Sequence, residues 1–268
     1  MVLAMGGQLE AAQPSFKKVM IVIFENMDYN TVINEPFFGG LSKSGVNLAQ
    51  FFAETHPSQP NYIALTSGSM QGVKNDSNVD LNIKSIADLL EAAGKTWKVY
   101  VESWPGRCYT GARSGTYARK HNPFISYLNI QKDPERCDQH IVASSQLPAD
   151  ISARALPDYS FYVPDLNNDG HDTNASYADR WFSGAFGPLL KDPKFAKDLL
   201  LVATFDESSQ IGGQHIYTVL WGDSLVPGTV SQTKYNHYSI LRTIEDAFGL
   251  GTLGLEDSRA TPITGIWK

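Results

Sequence analysis

The stretch Lys17-Lys-Val-Met-Ile-Val-Ile-Phe24 is a continuous apolar run with β-branched residues, and it stops at Glu25-Asn26. Successive side chains of a strand point to opposite faces, so an unbroken apolar run predicts a strand covered on both of them. Such strands belong to sheets with helices packed on either side.

The same signal recurs outward along the chain. Residues 83–93, IKSIADLLEAA, carry apolar residues at helical spacing and close on Gly94, ahead of a predicted strand at 96–101. Tyr159–Val163 reads as a strand ending at Pro164-Asp165, residues 177–190 as a helix, and Leu199–Phe205 as a second buried strand ending at Asp206-Glu207. A further strand is expected at 216–221 and a helix at 238–248, stopped by Gly249. This alternation predicts an α/β fold with a largely parallel central sheet and helices on both faces. Residues 104–147 have few apolar runs and much Gly, Arg, Asn, Asp and Pro, so residues 1–268 are read as a single domain with a loop-rich insertion at about 104–147, lying over the sheet.

Composition bounds the function. With 268 residues, 42% hydrophobic and 19% charged, the chain can bury a sizeable core and is neither disordered nor fibrous in type. A formal charge of -6 argues against a nucleic-acid polymer as partner, since such binders present a basic face. No apolar run approaches the roughly 20 residues that span a bilayer. Residues 1–15 lack the basic start and apolar core of a signal peptide, as a mature secreted chain also would. Cys108 and Cys137 are a disulfide, a redox pair or two free thiols. The sequons Asn75-Asp-Ser77 and Asn174-Ala-Ser176 fit a secreted, extracellular protein.

Three apolar strands end in carboxylates: Glu25, Asp165 and the pair Asp206-Glu207. Ligands of open α/β sheets bind beyond the carboxyl ends of the strands, so these acids are expected to converge. Converging carboxylates repel one another unless a proton, a basic group or a metal compensates. The loop Pro164-Asp-Leu-Asn-Asn-Asp-Gly-His-Asp172 adds Asp169 and His171, but lacks the closing Glu of an EF-hand. His237, and with less weight His215, are further candidates to reach the crevice. In His56-Pro-Ser-Gln-Pro-Asn-Tyr62, Pro60 suits a first helical turn, which leaves Ser58 at a helix N-terminus where free N–H groups favour a bound anion. There Ser58 is either a cap or a nucleophile activated by a nearby cation, and Asn61 either a turn residue or an oxyanion donor.

Taken in order, Phe24-Glu25-Asn26, His56 to Tyr62, Pro164-Asp165 with Gly170-His171-Asp172, Thr204-Phe-Asp-Glu207 and His237 to Asp246 resemble the phosphoesterase family of acid phosphatases and phospholipases C. The nearest pattern is its smaller, fungal-type acid phosphatase branch, related to the alkaline phosphatase superfamily. The resemblance implies an alkaline phosphatase-like fold and hydrolysis of small phosphate monoesters through a phosphoserine on Ser58, with Asn61 as oxyanion donor. It implies one or two divalent ions, zinc, manganese, calcium or magnesium, held by Glu25, Asn26, Asp206 and Glu207. Asp165 or Asp169, with His171 and His237, would form a second metal or phosphate-contact group. Tyr117-Ala-Arg-Lys-His-Asn-Pro-Phe124 resembles a segment of the same branch, giving Lys120 as substrate contact and His121, with His171 and His237, as candidate leaving-group acids. A phosphodiesterase of the phospholipase C type acting on lipid or nucleotide esters is the first alternative. An inactive phosphate- or glycan-binding protein is the second.

Overall fold

The computed structural model describes residues 13–209 and 213–268. Its main sheet has eight strands: β1 (Lys18–Phe24), β2 (Val46–Leu48), β3 (Trp97–Val101), β4 (Ile141–Ala143), β5 (Tyr159–Val163), β6 (Leu199–Phe205), β7 (Thr218–Trp221) and β8 (Thr229–Ser231). Their spatial order is β8-β2-β7-β6-β1-β5-β3-β4. All pairings are parallel except the two that β7 makes, with β6 and with β2. Every residue of β5 and β6 is buried, so both faces of the sheet centre are covered, as their apolar runs predict.

The helices that build or support the site are α1 (Pro36–Ser44), α2 (Ser58–Ser67), α3 (Ile86–Ala92), α4 (Ala175–Phe186) and α5 (His237–Phe248). Phe24 at the end of β1 packs its ring 5.0 Å from both Phe38 of α1 and Phe182 of α4, and stacks on Phe205 of β6 at 5.3 Å. Each buried phenylalanine contributes roughly 1.5–3 kcal/mol, so this cluster fixes the ends of β1 and β6 where the chemistry begins. A short parallel pairing of Phe51–Phe52 with Tyr235–Asn236 brings the approach to α2 beside the start of α5.

Several boundaries move for local reasons. The helix expected over 83–93 begins at Ile86, because the Ser85 N–H donates to Asp88 Oδ2 at 2.8 Å in a capping box. The helix expected over 177–190 begins at Ala175, capped by Asn174 Oδ1, which accepts the Tyr177 N–H, and ends at Phe186. The strand expected over 216–221 is shortened to β7. Residues 104–147 require a larger correction, since they are not merely laid over the sheet. They supply its edge strand β4, and Phe124, Ile125, Tyr127 and Ile130 are fully buried in the core. These apolar residues fall in one short stretch, Phe124-Ile-Ser-Tyr-Leu-Asn-Ile130, between polar segments, too short to fix a period. Cys108 and Cys137 form a disulfide across this segment, with Cα atoms 6.0 Å apart.

Candidate active site

Phe24 and Phe205 are direct partners in the β1–β6 register, so Glu25 and Asp206 leave the sheet side by side. The Asp206 N–H donates to the Phe24 carbonyl at 2.9 Å, the Asn26 N–H to Asp206 Oδ1 at 3.0 Å, and the Met27 N–H to the Glu207 carbonyl at 3.1 Å. Asn26 takes φ +55°, a left-handed conformation that asparagine tolerates better than most residues. The loop after β5 joins them through the Glu25 N–H, which donates to the Asp169 carbonyl at 3.0 Å. Gly170 makes this approach possible: it has φ +97°, and a Cβ there would lie 2.5 Å from Met27 Cε.

The nucleophile candidate arrives from α2, which follows a cis His56–Pro57 bond. Ser58 is 1% exposed; its Oγ donates to Glu25 Oε2 at 2.9 Å and lies 3.4 Å from Glu207 Oε1. Lys120 Nζ stands 3.5 Å from the same Oγ, and also 3.4 Å from His171 Nε2. His171 is oriented by Asp172, whose Oδ1 is 2.7 Å from its Nδ1. His121 is wedged between two acids, with Nε2 3.2 Å from Glu25 Oε1 and Nδ1 3.1 Å from Asp169 Oδ2. Tyr62, one turn along α2 from Ser58, donates its hydroxyl to Glu25 Oε1 and stacks on the His121 ring. His56 Nδ1 lies 2.9 Å from Glu207 Oε2.

The charges are strongly coupled by burial. Desolvation alone would raise Glu25, but His121, Lys120 and the Tyr62 hydroxyl outweigh it and hold the carboxyl at about 2. Burial would lower His121, yet Glu25 and Asp169 push it up to about 9, so the imidazolium neutralises part of the acidic cluster. For the remaining acids desolvation wins: Asp169 rises to about 6 and Glu207 to about 7, while Asp206 is driven well above the carboxylate range by burial and by the charges of Glu25 and Glu207. Four buried acids thus share the positive charge of His121 and Lys120, and three of the four rise despite it.

Residues 9–251 match the Phosphoesterase family. The chain belongs to that family. The chain is 32% identical over 259 residues to a probable acid phosphatase of Kluyveromyces lactis, across 92% of this chain and 61% of the relative. It is 34% identical over 266 residues to an acid phosphatase of Aspergillus niger, across 95% and 64%. It is equally identical, over 266 residues, to a phosphatidylinositol-3-phosphatase of Mycobacterium tuberculosis, across 97% and 86%. The chain thus spans about three fifths of the length of the fungal relatives it matches. The fold is shared with the lipoteichoic acid synthase LtaP of Listeria monocytogenes, with a TM-score of 0.65 at 14% identity over 94% of this chain and 76% of that one. It is shared equally with a Vibrio parahaemolyticus protein of the alkaline phosphatase superfamily, with a TM-score of 0.64 at 14% identity over 94% and 72%.

Glu25, Asn26, Ser58, Lys120, His121, Asp169, His171, Asp206 and Glu207 come together, whereas four expected participants are used otherwise. Asn61 donates from Nδ2 to the carbonyls of Thr55 and Pro57, and its Oδ1 accepts the N–H groups of Glu54 and Thr55. Its amide clamps the approach to Ser58 and has no donor left for an oxyanion. Asp165 accepts from Ser103, Thr116 and the Asn167 and Asn168 N–H groups, so it shapes its own loop and leaves the crevice to Asp169. His237 donates from Nε2 to the Asp206 carbonyl at 2.8 Å, and burial lowers it to about 4. It is a neutral support for Asp206, unsuited to protonating a leaving group. His215 likewise bonds the Ala49 carbonyl and stacks between Tyr29 and Phe52.

The site's donors fit a divalent cation. Glu25, Asp206 and Glu207 with the Asn26 amide are hard oxygen ligands, and the fully buried Asp206 Oδ2 has no hydrogen-bond partner among the described residues. The acids are arrayed around Ser58 rather than gathered on one point. Among the described residues, the only trio of candidate ligand atoms within 4.8 Å of one another is Cys108, Cys137 and Asp138, whose two sulfurs are joined in the disulfide. Tyr62, Asp172 and His56 lie within the quoted motifs but carry no individual expectation from sequence. Tyr62 had a usable signal, four residues beyond Ser58 on one helix face.

Proposed function

We propose that this protein is a metal-dependent hydrolase of phosphate monoesters that works through a phosphoserine on Ser58. The observation that carries the reading is the Ser58 Oγ: buried at the head of α2, hydrogen-bonded to Glu25, 3.4 Å from Glu207 and 3.5 Å from a lysine ammonium. A bare serine hydroxyl is a weak nucleophile, and this setting is one that activates it. Similarity to fungal acid phosphatases supports the monoester assignment.

Glu25, Asn26, Asp206 and Glu207 would hold the cation, which when bound supplies the positive charge that lowers the hydroxyl pKa and polarises the phosphoryl group. Ser58 Oγ passes its proton to Glu207 Oε1 and attacks phosphorus in line, forming the O–P bond as the bond to the leaving alcohol breaks. Lys120 offers its charge to the non-bridging oxygens. His171, held by Asp172 at the more open side of the site, gives a proton to the leaving oxygen. Water then attacks the phosphoserine and frees Ser58 and inorganic phosphate. His121 stays pinned between Glu25 and Asp169, balancing charge rather than moving protons.

The similarity to a phosphatidylinositol-3-phosphatase favours a lipid-borne monoester as a second substrate class. The disulfide and the two sequons support an extracytoplasmic location. The Ser58→Ala protein should lose at least about a thousandfold in kcat while keeping its thermal unfolding midpoint and bound metal. Acid-quenched turnover mixtures of the parent should carry phosphate on the peptide containing Ser58. Undiminished hydrolysis of p-nitrophenyl phosphate by the alanine variant overturns the reading.

A further inference from the structure

Asp76 lies on the loop between α2 and α3, outside every group given a chemical role above. Its Oδ2 accepts from Lys120 Nζ at 2.9 Å, and its Oδ1 accepts the backbone N–H of Gln59 at 3.0 Å. Gln59 is the residue directly after Ser58, so a single carboxylate ties the ammonium to the helix turn that presents the nucleophile. The tie is reinforced from the other side. The Gln59 side chain is 1% exposed, and its Nε2 donates to the carbonyls of Asn75 and Ser77 at 2.9 and 2.7 Å, the two residues that flank Asp76.

This arrangement matters because of the lysine's chemistry. Lysine ends in a point charge on a flexible four-carbon stem, so an unanchored ammonium near Ser58 would sample many positions. Placement within about half an ångström is what makes an electrostatic group effective in a phosphoryl transfer. An exposed ion pair contributes little, but this one is partly buried, and its carboxylate is also held by the Gln59 backbone N–H.

We infer that Asp76 is a positioning residue: it holds the Lys120 ammonium over the Ser58 oxygen, where the non-bridging oxygens of a phosphate ester arrive, and Gln59 locks its loop in place. The inference rests on the reading of Ser58 as nucleophile. Asp76→Asn is the informative variant, because the amide oxygen can still accept the Gln59 N–H while the charge that holds Lys120 is gone.

The expected loss in kcat/KM for p-nitrophenyl phosphate is about tenfold, with the unfolding midpoint unchanged. In a Lys120→Met background the same substitution should cost less than about twofold, since a residue acting through Lys120 has nothing left to act on. The crystal structure of the Asp76→Asn protein gives the Nζ position independently of turnover, and is decisive if the Lys120→Met protein is too slow to read. An equal loss in both backgrounds, an unchanged kcat/KM, or an ammonium still beside Ser58 each overturns the inference. Full turnover by Ser58→Ala is a different failure, that of the nucleophile assignment itself.

Discussion

At the scale of single residues, the site depends on Glu25. It accepts from Ser58 and Tyr62, faces His121, and follows the strand end directly. A fully buried carboxylate is held ionised only by such partners. Removing one of them should therefore be felt even where the rest of the site is intact. Tyr62→Phe deletes one hydroxyl while preserving the ring on His121, and should destabilise the protein by about 1–3 kcal/mol, read from the urea midpoint. An unaltered midpoint would show that Glu25 does not rely on Tyr62.

Legibility at this scale followed what each residue's role depended on. Ser58, Glu25 and Asp206 could be placed from sequence because a helix start and two strand ends fixed where they emerge. Asp165 and Asn61 misled because their alternatives, closing a loop and clamping a turn, depend on which backbone groups fold back to meet them. Asp76 left no sequence signal: its partners lie on α2 and in the segment after β3, and only their meeting gives it a role.

At the scale of elements, α5 carries a second buried acid that shows how position sets charge. Glu245 is fully buried, and burial together with neighbouring Asp257 pushes it up to about 9. Asp257 in turn packs against Gly68 at the end of α2, where φ is +74° and a Cβ would sit 2.5 Å from Asp257 Oδ1. Asp257 thus connects the ends of α2 and α5. The folded chain keeps the Glu245 proton between the ordinary value of 4.5 and about 9, whereas the unfolded chain releases it. Its contribution to stability is therefore complete below 4.5 and declines as pH rises across that window, by at most about 1.4 kcal/mol per pH unit. Glu245→Gln should remove this decline, so the variant gains on the parent as thermal unfolding is followed from pH 5 to 8.5. Parallel curves for the two proteins would refute it.

At the scale of the whole molecule, the sheet gathers acids from three distant parts of the chain around the positive charge of His121 and Lys120. A cation that binds only the folded protein stabilises it by mass action. Exhaustive chelation should therefore abolish turnover and lower the unfolding midpoint together. Back-titration with zinc, manganese, calcium or magnesium should restore both, and the metal that does so is the one used. Full activity after chelation would sink the metal-dependent reading.

The sequence by itself determined the buried parallel strands, the helices and the points where Glu25, Ser58 and Asp206 leave them, because hydrophobic periodicity and caps are local properties. The tertiary structure alone decided that 104–147 reaches the core, that Asp169 rather than Asp165 enters the crevice, and that His237 supports Asp206 while His171 sits beside Lys120. Those outcomes turn on burial and on hydrogen bonds between residues far apart in the chain, where several satisfied arrangements compete and only the packed backbone selects one.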